Sequence, residues 1–588
     1  MRRRVSPVFL LLAATWPAAA CNNGSNGGTG EVSIVLTDAA SDELVQFEVD
    51  VANIVLTKAS GDTVSVMPRA ARIDFADLTT VGELVTAVTL ESGTYRSMTM
   101  DLDFSSAAVA IVGQTSPAAV VDTAGNPITG TVSVQVDFSV RARPLVRVAR
   151  HHLFQLDLDL DQGVTVNAGI NTVTFAPVLS AVLDPSNPRP VVASAVLAGV
   201  DAAAGTFTVD RKALDGNTLA TVVVRTGALT VFQVDGQVAL GASGLAQLAA
   251  HTGERVFVQG TLDPRERVLV AAAVETGAGV PGNGQDWVLG HVTARNTGAG
   301  TDPTLTVTGR SFDVGTSTRR FNAAHTVTLA RASTKVLRRG AGNSLDSDAL
   351  NVGQLVWVFG DMTGTAMDAT AATGVVRMLP TSVFGIAAGP AAGGVLTLDV
   401  ARFDLRPDSA FNFVVGGNSQ ALENAFTVDV DGLDTTGITT GSRLRVFAWI
   451  NPVDVGTDSN CEALSIVDRT SEGRALLLQW SPASGAAIAS STPSALTLDV
   501  SGAAIATVGD GFAPVAVGAS PAPTLVPLLG LGVYRIVQAG QVDVFFTFDA
   551  FRAELVLRSG SVFRIGAFGT YDDGAQAFSA LAATIVLE

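Results

Sequence analysis

Four times the chain runs through a glycine, an alternating apolar stretch and a small or aromatic stop: TGERVFVQG at 252–260, VGQLVWVFG at 352–360, TGSRLRVFAW at 440–449 and SGSVFRIGAFG at 559–569. In VGQLVWVFG, Leu355, Trp357 and Phe359 point one way and Gln354, Val356 and Val358 the other, which leaves little polar surface on either face. Such a strand lies centrally in a sandwich or in a barrel. Each copy is followed by a turn and a second strand of small and β-branched residues: VLVAAAVET at 268–276, MDATAATGVV at 367–376, CEALSIVD at 461–468 and FSALAATIVL at 578–587. That arrangement predicts a hairpin. Ahead of each copy lies a further strand pair containing TFTVD at 206–210, TLTVTG at 304–309, VLTLDV at 395–400 or ALTLDV at 495–500. Gly253, Gly353, Gly441 and Gly560, which open the hairpin strands, stand 100, 88 and 119 residues apart. That spacing is the size of a domain, so the repeats read as four beads rather than a solenoid.

The stretch before the repeats is a different unit. GEVSIVLTDAA at 30–40, FEVDVANIVLTKASGDTVSVM at 47–67, SGTYRSMTMDLDF at 92–104, TVSVQVDFSV at 131–140 and HHLFQLDLDLD at 151–161 alternate with period two. An antiparallel β-sandwich with one solvated side per sheet is predicted. In front of it, MRRRVSPVFLLLAATWPAAAC combines three arginines, an apolar run and small residues ending at Cys21, the pattern of a secretory signal with a lipid-attachment cysteine. NNGSNGGTG at 22–30 reads as a flexible tether. Asn22, rather than an aspartate, resembles the sorting pattern of bacterial outer-membrane lipoproteins. The boundaries are therefore a signal peptide at 1–20, a tether at 21–29, a β-sandwich at 30–185 and β units at 190–277, 286–378, 381–469 and 473–588, the last with a long insertion.

Removing residues 1–20 takes away three of 37 basic residues and leaves 34 against 54 acidic ones, a net charge near −20. Nucleic acid is a poor partner for such a surface. With Cys21 committed to lipid, only Cys461 remains, so no intramolecular disulfide is expected and burial alone must hold the fold.

The TDAASDE segment after the first strand, the paired VxxIVLT and VSV strands, DFADL, ESGTYRSMTMDL and TFAPVLSAVL resemble the bacterial lipoprotein domain of unknown function 4382. From about residue 193, openings such as VLGHVTA at 288–294 and the G-x-x-V-x-V-x-G hairpins resemble domain of unknown function 5666, which implies small OB-like or related β-barrels. The openings VLAGV at 196–200, VFGIA at 383–387 and LLLQW at 476–480 depart from that pattern. The fold class is thus all-β: an N-terminal antiparallel sandwich followed by four small OB-like barrels. Neither resemblance implies a reaction or carries active residues across.

Chemistry-bearing clusters are few. Asp157, Asp159 and Asp161, at i, i+2 and i+4, would lie on one face of a strand, with Leu156, Leu158 and Leu160 on the core face. They are either a solvated strand side or oxygen ligands for Ca²⁺, with Asp38, Asp42, Glu43, Asp101 or Asp103 as further ligands. His151 and His152 are adjacent and face opposite ways; His251, His291 and His325 are scattered. There is no HExxH, CxxC or nucleotide-cradling glycine signature, no G-x-S-x-G elbow and no recognisable helix of 10–15 residues. Trp287, Trp357, Trp449 and Trp480 either fill cores or line a binding groove. The expectation is a non-catalytic, monomeric, lipid-anchored envelope protein without cofactor, serving as scaffold, spacer or adhesion module. The alternatives are a glycan or small-ligand binder, Ca²⁺-dependent or not, and a hydrolase.

Overall fold

The computed structural model describes residues 28–38, 43–78, 81–138, 143–185, 190–263, 268–415, 418–419, 425–452, 459–469, 474–509, 515–529, 532–539, 541–572 and 574–588. Cys21 and Asp42 lie outside them. The first unit contains β1 (Thr29–Thr37), β2 (Leu44–Lys58), β3 (Thr63–Ser65), β4 (Ala71–Asp74), β5 (Gly82–Glu91), β6 (Gly93–Ile111), β7 (Ala119–Val121), β8 (Thr131–Asp137), β9 (Leu145–Val146) and β10 (His151–Leu158). The one-turn helix α1 (Leu160–Gly163), β11 (Val164–Asn167), β12 (Thr172–Phe175) and β13 (Leu179–Leu183) complete it. One sheet runs β13-β10-β1-β5 and the other β3-β2-β6-β8, with β4 also on β2. Alternation turns Ile34, Leu36, Phe154 and Leu156 of the first sheet and Phe47, Val49, Met98 and Met100 of the second into one shared core. The sandwich is not wholly antiparallel as predicted: β1 pairs antiparallel with β5 but parallel with β10. Period-two alternation says which face a residue takes and nothing about which way its neighbour runs.

The first repeat consists of β14 (Val191–Asp201), β15 (Thr206–Lys212), β16 (Thr218–Arg225), β17 (Val231–Val234), β18 (Gln237–Leu240), α2 (Gly241–Leu248), β19 (Arg255–Asp263) and β20 (Val268–Thr276). Pairings β14–β15, β15–β16, β16–β20, β20–β19 and β19–β14 close a five-stranded barrel in which only β16–β20 is parallel. The second repeat closes the same circuit with Asp286–Arg295, Thr304–Asp313, Thr318–Thr328, Leu355–Thr363 and a last strand split into Ala366–Asp368 and Val375–Leu379. In the third, Thr381–Ala387 pairs with Val395–Phe403 and that strand with Phe426–Asp429, which runs parallel to Cys461–Asp468, and Arg443–Ile450 joins Cys461–Asp468 back to Thr381–Ala387 within a six-stranded sheet.

Four equivalent OB-like barrels strung as beads are not what forms. The fourth unit's first strand is divided into Arg474–Ser484 and Ile488–Thr492, and the inserted strand Ala503–Gly509 folds back on the former. Its sheet is also continuous with the sandwich, because Gln541–Asp543 pair in parallel with Gln135–Asp137 of β8. On the opposite sheet, Gly82 and Glu83 of β5 pair with Val191 and Val192 of β14. One edge of each sheet of the sandwich therefore continues into a neighbouring unit, which satisfies backbone groups that a free edge would leave open.

This arrangement explains the doubly apolar hairpin strand. Val356 and Val358 fill the second barrel, whereas Phe359 and Trp357 on its outer side pack with Val375, Leu337, Val238 and Trp287 in the seam against the first barrel. In TGERVFVQG, Val256 and Val258 face inward and Phe257 faces the seam, where Arg339 stacks 4.0 Å over its ring. Trp449 of the third unit joins the core of the second. Burying one such aromatic contributes roughly 2–3 kcal/mol.

Candidate ligand cleft

Where the sequence places its acidic cluster, the strand stops. β10 ends at Leu158, and Asp159 caps α1 by accepting from the Gln162 N–H at 2.9 Å. Asp157 remains on the strand and accepts from the Thr37 hydroxyl at 2.7 Å, while Asp161 sits in the helical turn. Three carboxylates on one strand face, the premise for a Ca²⁺ site, are therefore not assembled. Asp38 is buried and accepts from the Leu160 N–H at 3.0 Å, but Asp101 and Asp103 stand on β6 of the other sheet, engaged by the Ser133 hydroxyl and the Ser105 N–H. Among the described residues, no group of three or more histidine, cysteine or acidic side chains converges to hold a metal.

Asp159 instead serves a seam. Its second oxygen lies 3.7 Å from Arg535 of the fourth unit, and burial pushes its carboxyl up to about 6 although Arg535 opposes that rise. Nearby, the buried Arg564 guanidinium reaches the Thr165 hydroxyl and the Ala176 carbonyl of the sandwich, and burial pulls it down to about 10.

Elsewhere on the sandwich lies a cleft of about 470 Å³ between the 143–150 segment, β10, β13 and Phe546 of the fourth unit. Arg143, Arg147 and Arg150 line it. Among the described residues none of the three guanidinium groups has an ion-pair partner, and the Arg143 Nε is sealed from solvent without an acceptor. Among the described residues Asp184 is the one carboxylate lining the cleft, and it is already engaged: it accepts from the Leu153 N–H at 2.9 Å and from His152 Nδ1 at 2.6 Å. The Arg147 backbone N–H donates to His152 Nε2 at 3.0 Å, so that nitrogen carries no proton and Nδ1 is the donor to Asp184. Both ring nitrogens are thereby used in holding the loop. The remaining lining is Phe138, Pro144, Leu145, Ala181, Val182 and Leu183, apolar residues without a nucleophile. Such a site attracts an anion and gives it apolar company.

The sequence reading missed this cleft, although a signal was present: RARPLVRVAR at 141–150 places four arginines in ten residues of a strongly acidic chain. It also missed the ten-residue helix Phe548–Leu557, which follows Phe546. Its Thr547 cap and the buried spacing Phe548, Phe551, Leu555 were legible. His151 and His152 do separate as predicted, His151 bonding Ser33 Oγ at 2.9 Å and His152 turning to Asp184. The tryptophans belong to cores and seams: Trp480 is buried in the fourth unit, and Trp287 meets Trp357 edge-on at 5.9 Å. Cys461 is buried, and burial pushes its thiol well above the usual range.

Residues 29–177 match the family described as Domain of unknown function (DUF4382), and the match does not extend into the repeats. The resemblance of the repeats to domain of unknown function 5666 finds no support. No curated protein and no solved structure is significantly similar to the chain.

Proposed function

We propose that this chain is a lipid-anchored, non-catalytic protein of the bacterial outer membrane that works as a rigid scaffold or adhesion module. The observation that carries the rigid-scaffold part of the reading is the way the units are locked together. Arg377 of the second unit is fully buried between Gln233 and Glu275 of the first, donating to the Gln233 amide oxygen, and Arg339 reaches Glu275 at 3.0 Å. Burial raises the Glu275 carboxyl, but Arg339 and Arg377 more than offset it and hold it below its ordinary value. Arg310 of the second unit ion-pairs with Asp74 and Asp77 of the sandwich, and Arg319 reaches Glu48 at 2.7 Å. In the seam between the second and third units, His291 meets Asp404 at 2.8 Å and the Gln354 amide oxygen accepts from the Ile450 N–H. A buried pair such as Arg377 with Glu275 adds little net stability against its desolvation but is costly to break on one side, which suits a body that must keep its shape.

Small-angle scattering tests this. A locked assembly of 588 residues has a radius of gyration nearer the compact limit of about 25 Å than the roughly 50 Å of five domains in a line. A profile of the extended kind would remove the rigid-scaffold reading.

A further inference from the structure

The arginine-lined cleft does more than concentrate positive charge. Leu145, Val148, Val182 and Phe546, on or beside its rim, are 46%, 56%, 50% and 45% exposed. Arginines alternate with open apolar side chains over one face of a molecule whose formal net charge is −17. A pocket built for a small soluble anion encloses its ligand and hides its apolar residues. An interfacial surface leaves them open, cations level with the headgroups and apolar groups reaching the acyl boundary.

The position of this face in the chain supplies the second argument. The Thr29 carbonyl accepts from the Ala149 N–H at 2.8 Å, the Arg150 carbonyl accepts from the Glu31 N–H at 2.8 Å, and Gly28 lies against Val148. Gly28 is seven residues on from Cys21, and seven residues span at most about 25 Å however they are arranged. A lipid on Cys21 thus holds this face, and no distant one, against the bilayer.

We infer that the face formed by Arg143, Arg147, Arg150, Leu145, Val148 and Phe546 docks on an anionic phospholipid surface and sets the orientation of the scaffold. The inference rests on the lipid-anchored reading for its geometry. The acidic remainder of the surface is repelled by the same headgroups, so the molecule has one favoured way to sit.

The test uses the mature chain, residues 21–588, carrying Cys21→Ser so that no lipid contributes; it keeps every described residue. Its sedimentation is measured with phosphatidylcholine vesicles and with vesicles containing one-third phosphatidylglycerol, at low and high salt. Binding to the anionic vesicles, loss of binding at high salt, and at least a tenfold weakening by Arg147→Glu with Arg150→Glu are expected, since each arginine near such a surface is worth about fivefold. Lys212→Glu, in the first barrel, leaves binding unchanged. Val148→Asp, at an exposed site that folding tolerates, weakens binding as well. Equal binding to both vesicle types, or indifference to the arginine reversals, overturns the inference. So does displacement by inorganic phosphate with no effect of Val148→Asp, which would assign the face to a small anion. Mass analysis of the native protein extracted from membranes reads the anchor separately: a diacylglyceryl adduct with a negative vesicle result rejects docking alone, and a missing adduct rejects the anchor.

Discussion

Asp159 acts at once as helix cap, seam contact and titrating group. Its carboxyl sits at about 6 against an ordinary 3.8, chiefly through burial. From about pH 4 to about pH 6 the folded state keeps a proton that the unfolded state has released, so stability falls as pH rises through that window, and the penalty is complete above it. A shift of that size corresponds to roughly 3 kcal/mol. Asparagine at 159 keeps an oxygen for the Gln162 N–H and removes the buried charge. Asp159→Asn is expected to raise stability at neutral pH by on the order of 1–3 kcal/mol and to flatten the pH dependence. Urea midpoints at about pH 4.5 and about pH 7.5 measure both; an unaltered slope would mean that the carboxyl titrates normally.

Among the elements, the recurring hairpin strand owes its terminal glycine to barrel closure. A Cβ on Gly260, Gly360 or Gly569 would overlap the carbonyl oxygen of Val270, Asp368 or Ser579 on the next strand. At Gly260 and Gly569 the ladder also shifts register, so the backbones approach where the wall bends. Ala448, at the corresponding place in the third unit, is accompanied by a register shift of its own. Gly360→Ala is expected to cost about 1–3 kcal/mol, as overpacking against fixed backbone does. Gly130→Ala, with nothing within 4 Å of the added carbon, is expected to be neutral. Thermal unfolding of the two variants side by side checks this; equal melting temperatures would show that the wall can yield.

At the scale of the whole molecule, cooperativity passes through the seams. Arg377→Ala leaves Gln233 and Glu275 with a void between them and is expected to destabilise the protein by roughly 3–5 kcal/mol, the usual cost of breaking a buried pair. Trp287 and Trp357 lie in the same seam, so their fluorescence should shift at lower denaturant than the far-ultraviolet dichroism if the first and second barrels come apart before they unfold. Coincident transitions would show that the seam and the barrels melt together.

The strands themselves, and the all-β character, were readable from the chain alone, because period-two alternation and glycine turns are local and each strand needs only its own residues to declare its faces. The sandwich resemblance over the first unit likewise rested on short-range patterns. What the outer face of VGQLVWVFG is buried against could not be read, since an apolar outer face looks the same whether it meets another sheet or a neighbouring barrel. Asp157, Asp159 and Asp161 misled for a related reason: alternation continued one turn past the point where a backbone hydrogen bond to Asp159 ended the strand. The cleft depended on tertiary structure most of all. Arg147, His152, Asp184 and Phe546 are separated by up to 399 residues, and the parallel pairing of β8 with Gln541–Asp543, with the seam that Arg535 and Arg564 make to the sandwich, brings that last side chain to the arginines, a long-range closure whose entropy is offset by contacts that no local pattern encodes.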